Sequence, residues 1–175
     1  MAKIIILAAV NSKGFIGKGG DLLYHGLTND LENFKRATEG NVVIMGSKTF
    51  ESLPNGAPLK NRINIILSHD KEYNIEPSDN AYIVNSVKEA IDLCDGLFSD
   101  KKAFVIGGGS IYGAFMNMGL VDELRLTEIQ DDSEGDVSFP KFNVDEYDVT
   151  FKTLPMRDND DVPFYNYITY KRKAQ

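Results

Sequence analysis

The sequence predicts an α/β domain: a central, mostly parallel mixed sheet, helices on its faces and antiparallel strands added at its C-terminal end. Three observations lead there. Short runs rich in Ile and Val alternate with stretches of helical periodicity, the pattern of strands joined by covering helices. The first run, KIIILAAV at 3–10, is apolar from Ile4 onward, as a strand is when both of its faces are covered. After residue 120 long helical patterns stop and three strand-like runs follow one another. A chain of 175 residues suits a single domain, residues 1–175, with a sizeable core, and no repeat or linker-like tract divides it.

The N-terminal stretch MAKIIILAAVNSKG has one Lys before seven apolar residues. That run lies at the short end for a signal peptide and its flank is barely basic, so the stretch reads as a buried first strand. The next strands are expected at 41–45, 62–67, 81–85 and 103–107. A helix over 28–39 places Leu31, Phe34 and Thr38 on one stripe, with Thr28 as its N-cap and Gly40 as its stop. A helix over 87–95 places Val87, Ala90, Ile91 and Cys94 on one face, so Cys94 reads as a core residue. The closing runs DELRLTEI (122–129), DVTFK (148–152) and FYNYITYKRK (164–173) are expected to join as antiparallel partners.

Composition narrows the function classes. Hydrophobic residues make up 42% and charged residues 26%, ordinary for a soluble globular protein. The net charge of −7 argues against nucleic-acid binding, which needs clustered Lys and Arg. No apolar run approaches the length that crosses a bilayer. One cysteine, Cys94, permits no intrachain disulfide and fits a reducing, cytoplasmic compartment. His25 and His69 are far apart, and neither an HExxH nor an EF-hand pattern occurs, so no metal site is expected.

Two stretches point to a ligand. VVIMGSKTF (42–50) and FVIGGGSIY (104–112) each read as strand, glycine, Ser, then helix. Glycine there lets backbone approach a ligand, and the free N–H groups of a first helical turn attract anions. In a parallel sheet such turns lie at the carboxyl ends of strands, where open α/β folds bind ligands. Neither stretch matches GxGxxG or a P-loop, and tight turns that simply need glycine are the plain alternative. Asp30 stands between Leu27, Leu31 and Phe34 at the opening of the helix. On its own it reads as a residue complementing the helix dipole; held in a pocket, it would be a carboxylate with chemistry to do.

Six stretches then fall in one order: LAAVNSKGFIG (7–17), NDLENFKRATEG (29–40), VVIMGSKTFESLP (42–54), PLKNRINIILS (58–68), FVIGGGSIY (104–112) and LTEIQDDSEGDVSFP (126–140). Together they resemble the dihydrofolate reductase family across nearly the whole chain. The resemblance implies that family's three-layer fold. It implies NADPH-dependent reduction of 7,8-dihydrofolate to 5,6,7,8-tetrahydrofolate, supporting one-carbon metabolism, with hydride reaching pterin C6 and a proton reaching N5. It also implies a small-molecule partner, no nucleic acid or membrane, and a monomer.

By position, the resemblance gives Asp30 the role of the acidic residue that grips the pterin and promotes protonation. Thr127 matches the residue bonded to that acid. Leu7, with Ala8, and Ile106 match strand ends whose carbonyls meet the pterin. Leu31, Phe34, Leu53 and Leu59 match apolar walls, and Arg62 matches the clamp on the α-carboxylate of the glutamyl tail. On the cofactor side, Ala9 matches a backbone contact to the nicotinamide, and Ile16 and Gly17 start a closing loop. Gly46, Ser47, Lys48 and Thr49, with Gly107, Gly108, Gly109, Ser110 and Ile111, match pyrophosphate-holding turns. Leu67, Ser68 and His69 lie at the adenosine end, and Tyr112 near the nicotinamide.

The chain departs from the family pattern in three places. Leu22-Leu23-Tyr24 replaces Leu-Pro-Trp, with an extra residue near His25 and Gly26; Tyr24 then offers a hydroxyl where the tryptophan helps hold a water, which makes it a candidate catalytic residue. Ser47 and Ser110 stand where arginines are usual, leaving Lys48, His69 and Lys71 to meet phosphate. The stretch PNGAPLKN (54–61) lacks the basic residue some relatives have near the glutamate tail. Two alternatives stay open at this point. One is a related reductase of another pterin or a pyrimidine-derived substrate, which has no use for Arg62. The other is a pterin- and NADPH-binding scaffold that keeps the fold without catalysis.

Overall fold

The computed structural model describes residues 1–24 and 27–175. The extra residue expected near His25 and Gly26 lies outside them. An eight-stranded sheet forms the middle layer, in the order β10-β11-β8-β1-β7-β4-β5-β6. Its strands are β1 (Ile4–Asn11), β4 (Val42–Gly46), β5 (Ile63–Leu67), β6 (Ala81–Val84), β7 (Ala103–Gly107), β8 (Glu123–Ile129), β10 (Tyr147–Lys152) and β11 (Tyr165–Arg172). All five expected early strands form within a residue or so of the sequence reading. The three closing strands pair antiparallel with one another, as expected, and β8 also joins the parallel body through β1.

Helices α1 (Thr28–Thr38) and α2 (Ser47–Glu51) belong to one face, α3 (Val87–Gly96) and α4 (Gly109–Asn117) to the other. The alternation of β1 sorts the core between them: Ile4 and Ile6 pack toward α3 and α4, Ile5 and Leu7 toward the α1 and α2 side. Cys94 is fully buried, and burial raises its thiol pKa to about 11, as suits a core residue rather than a nucleophile. Ser86 caps α3 by accepting the Glu89 N–H at 3.1 Å, and Glu89 reaches back to accept the Asn85 N–H at 2.8 Å.

Two features differ from the sequence reading. Thr28 is the first residue of α1 rather than its cap; Leu27 holds the cap position and has no side-chain bond to give. Gly40 does end the helix, with φ +76°, a conformation that favours glycine. A second sheet, β3-β2-β9, is formed by Phe15–Lys18 (β2), Asp21–Leu22 (β3) and Val137–Ser138 (β9). Strands of two residues carry too little periodicity to announce themselves in sequence.

Candidate active site

Burial along β1 falls from complete at Ile5 and Ile6 to partial from Leu7 to Val10, although the strand is central to the sheet. Ile106 is likewise the one half-buried residue of β7. The carboxyl ends of these strands therefore open onto a cleft, and the predicted substrate residues gather there. Leu7, Leu53, Leu59 and Ile106 pack on the α1 and α2 side of the sheet. Phe34 is half-buried, and Leu31 stands 63% exposed, as a wall residue does beside an open cleft. The side chain of Ala8 points to the opposite face, so only its backbone can serve the cleft.

Register brings three side chains together at one end. Thr127 of β8 pairs laterally with Ala9 of β1 and with Tyr167 of β11, so all three share a face. Asp30, on the first turn of α1, comes down onto them: the Thr127 hydroxyl donates to its carboxylate at 2.8 Å. Desolvation raises the Asp30 pKa above the ordinary carboxylate value. Hydrogen bonds from Thr127 and Tyr167 pull it down, the charge of Asp158 pushes it up, and the net direction is upward. Tyr167 donates to the acid and is held strongly in its neutral form, chiefly by burial. Sequence reasoning did not single out Tyr167; its alternation with Thr169 on the last strand was the available sign.

At the far end of α1, Arg62 is buried rather than solvated. Its guanidinium donates to the Lys60 carbonyl at 2.8 Å and to the Thr38 hydroxyl at 3.5 Å. Thr38 lies eight positions after Asp30, about 12 Å along the helix, so acid and guanidinium stand at opposite ends of α1. Asn64, a lone amide in INIIL, pins the loop before Arg62: it accepts the Leu59 N–H at 2.9 Å and donates to the Leu59 carbonyl at 3.0 Å. A single amide interrupting an apolar strand is the mark that this structural role leaves in the sequence.

The two glycine turns lie side by side at the ends of the paired strands β4 and β7. Helix α2 starts after Gly46 and α4 after Gly108, and neither start carries a side-chain cap. A Cβ on Gly107 or Gly108 would sit 3.5 or 3.7 Å from the Thr49 hydroxyl, so the turns converge. The Gly107–Gly108 peptide is cis. Ser47 and Thr49 are half-buried, and Lys48, Ser110 and His69 are exposed. Ile111 and Leu67 are core residues on the α3 and α4 side. Ser68 is buried; its hydroxyl accepts the Asp70 N–H at 3.2 Å and its carbonyl the Asn85 amide at 2.7 Å. Tyr112 is buried against Phe139, and its hydroxyl donates to the Leu7 carbonyl at 2.6 Å, fixing a strand end the cleft uses.

The small sheet covers the α4 turn. A Cβ on Gly109 would meet Val137 at 2.7 Å and Ile16 at 3.7 Å. Gly17 is part of this cover; its carbonyl accepts the Asp136 N–H at 3.0 Å, while the Asp136 carboxylate accepts the Gly19 N–H at 2.8 Å. The Tyr24 hydroxyl donates to the Asp131 carboxylate, which also accepts the Ser133 N–H.

Comparison with known proteins follows the same outline. A family model described as dihydrofolate reductase matches residues 3–172. The dihydrofolate reductase of Bacillus subtilis (strain 168) is 34% identical over 172 residues, 97% of this chain and 95% of that one. That of Neisseria gonorrhoeae is 39% identical over 143 residues, 82% of each chain. A solved dihydrofolate reductase from Enterococcus faecalis, complexed with NADP(H) and RAB-propyl, aligns with a TM-score of 0.81 at 30% identity. The alignment covers 98% of this chain and 97% of that one.

Proposed function

The chain belongs to the dihydrofolate reductase family, and from that membership we propose that Asp30 is its acid, Thr127 the partner of that acid and Arg62 its tail clamp. It is an oxidoreductase that reduces 7,8-dihydrofolate to 5,6,7,8-tetrahydrofolate with NADPH. The observation that carries the residue assignment is the half-buried Asp30 carboxylate bonded to Thr127 at the open end of β1.

The convergent turns suit the cofactor: two helix starts without side-chain caps, with the Thr49 hydroxyl between them, fit an anionic pyrophosphate. When bound, NADPH supplies the hydride. The chain's own part is to orient and to manage a proton. Asp30, ionised, accepts N–H bonds from the amino-pyrimidine edge of the pterin, with Thr127 fixing its rotamer. Its raised pKa brings the protonated form nearer to neutral pH than in a free carboxylic acid, so the group that holds the pterin when ionised can take up a proton and promote protonation at N5. Leu31, Phe34, Leu53 and Leu59 keep water from the ring, and Arg62 holds the tail carboxylate with a guanidinium already anchored at Thr38. Ser47, Lys48, Thr49 and the 107–111 turn hold the diphosphate, with Lys48 and His69 as the nearby basic side chains. We place the enzyme in the cytoplasm as a monomer of one domain, 1–175; a light-scattering mass near 19.5 kDa tests the monomer.

The deciding assay is NADPH-dependent reduction of dihydrofolate, repeated with NADH and with Asp30→Asn. Turnover that favours NADPH and collapses in the variant at neutral pH is expected. Saturable binding of both ligands without turnover would leave a scaffold protein.

A further inference from the structure

Helix α1 carries the acid on its first turn yet has no cap of its own: Leu27 supplies no side-chain acceptor. The acceptor comes from 129 residues away. The Asp158 carboxylate, in the loop between β10 and β11, takes the Asn29 N–H at 3.1 Å and the Asn29 side-chain amide at 2.9 Å. Asn29 is the residue immediately before Asp30. The Tyr165 hydroxyl, from a fully buried ring, donates to the same carboxylate at 2.5 Å and fixes its direction. The neighbouring cation, Arg157, is turned away, paired with Asp160 at 2.6 Å and stacked over Phe164.

We propose that Asp158 is a positioning residue for Asp30: it docks the β10–β11 loop as an external cap on the helix turn that bears the acid, and fixes a second negative charge beside it. This rests on the reading of Asp30 as the acid. The groups facing Asp30 among the described residues are Thr127 on β8, Tyr167 and Tyr165 on β11, and Asp158 on the loop. Of these, Asp158 is the one that carries charge at neutral pH. Its bonds to Tyr165 and to the start of α1 hold it ionised, and its charge raises the Asp30 pKa. Two jobs follow, and they separate chemically. Asn caps a helix about as well as Asp but is neutral; Ala does neither.

The test is the single-turnover rate of NADPH oxidation by dihydrofolate from pH 5 to 9, with melting temperature, for the full chain and for Asp158→Asn, Asp158→Ala and Asp30→Asn. Asp158→Asn is expected to melt near the parent while the apparent pKa of the rate falls by about half a pH unit, the size of one like charge removed across a partly wet gap. Above that pKa the rate then drops about threefold, converging with the parent in acid. Asp158→Ala is expected to lose melting temperature as well, and failure to fold would itself support the cap. A profile for Asp158→Asn that superposes on the parent overturns the charge role; an unchanged melting temperature for Asp158→Ala overturns the cap. If Asp30→Asn keeps the parent's pH profile, the assignment of Asp30 has failed instead, and that result is distinct from either.

Discussion

A carboxylate set among apolar neighbours costs stability at neutral pH, and Asp30 illustrates what the cost serves. Its folded pKa lies above the unfolded value, so the folded chain binds the proton more tightly. The stability this proton contributes is full below the unfolded pKa and is lost as pH rises through the folded one. Asp30→Asn, isosteric and neutral, is therefore expected to melt higher than the parent at pH 7 while losing activity there, with partial recovery in acid as solvent supplies the proton. Paired thermal melts and pH–rate profiles check both halves, and a lower melting temperature would contradict the sign. Arg62→Leu separates binding from chemistry. It removes a charge-assisted bond worth on the order of 1.5–3 kcal/mol, so KM for dihydrofolate is expected to rise roughly ten- to hundredfold with kcat little changed. At the phosphate end, Ser47→Arg is expected to raise the NADPH-to-NADH preference in kcat/KM; an unchanged ratio would place the 2′-phosphate elsewhere. The residues proposed to act through their own chemistry, Asp30, Thr127 and Arg62, stand in stretches that the family resemblance marks in the sequence. Asp158 does not, because a contact spanning 129 residues leaves no mark in local spacing.

Among the elements, strands of five or more residues could be read directly, since INIIL, AFVIG and IIILAAVN state their burial in composition. The turns after β4 and β7 were legible too, as glycine before a helical pattern. What escaped was the small sheet, where close approach of backbones and not periodicity decides the fold. Gly135 shows this: a Cβ there would stand 2.5 Å from the Gly17 carbonyl and 2.8 Å from Phe15. No flexible side chain can yield there, since the nearest atom is backbone. Gly135→Ala is expected to push Val137 and Ile16 off the α4 turn without touching the main core. Cofactor affinity should fall several-fold while the melting temperature of the free protein moves little. Fluorescence titration with NADPH beside a thermal melt distinguishes this from general unfolding, which would lower both.

Taken whole, the molecule has its largest core between the sheet and helices α3 and α4. Cys94 reports on that core: it is fully buried on α3, its thiol raised to about 11, on the face opposite Asp30. In the native state it presents neither access nor thiolate, so labelling by a thiol reagent proceeds only through opening of the fold. A ligand that binds the folded chain and not the unfolded one deepens the native state by RT ln(1 + [L]/Kd), about 2.7 kcal/mol at a hundredfold excess over Kd. For a chain of this length that corresponds to a rise of roughly 5–10 °C in melting temperature. It also corresponds to about a hundredfold slower Cys94 labelling, provided that opening is fast relative to the chemistry of labelling. NADPH and a folate are expected to slow labelling more together than either does alone, because the sites proposed for them share the ends of β1 and β7. Protection by NADPH far below a hundredfold would mean that α3 opens locally without disturbing the turns. Cys94 would then belong to a unit that unfolds independently of the proposed active site, and the chain would be two units in its energetics.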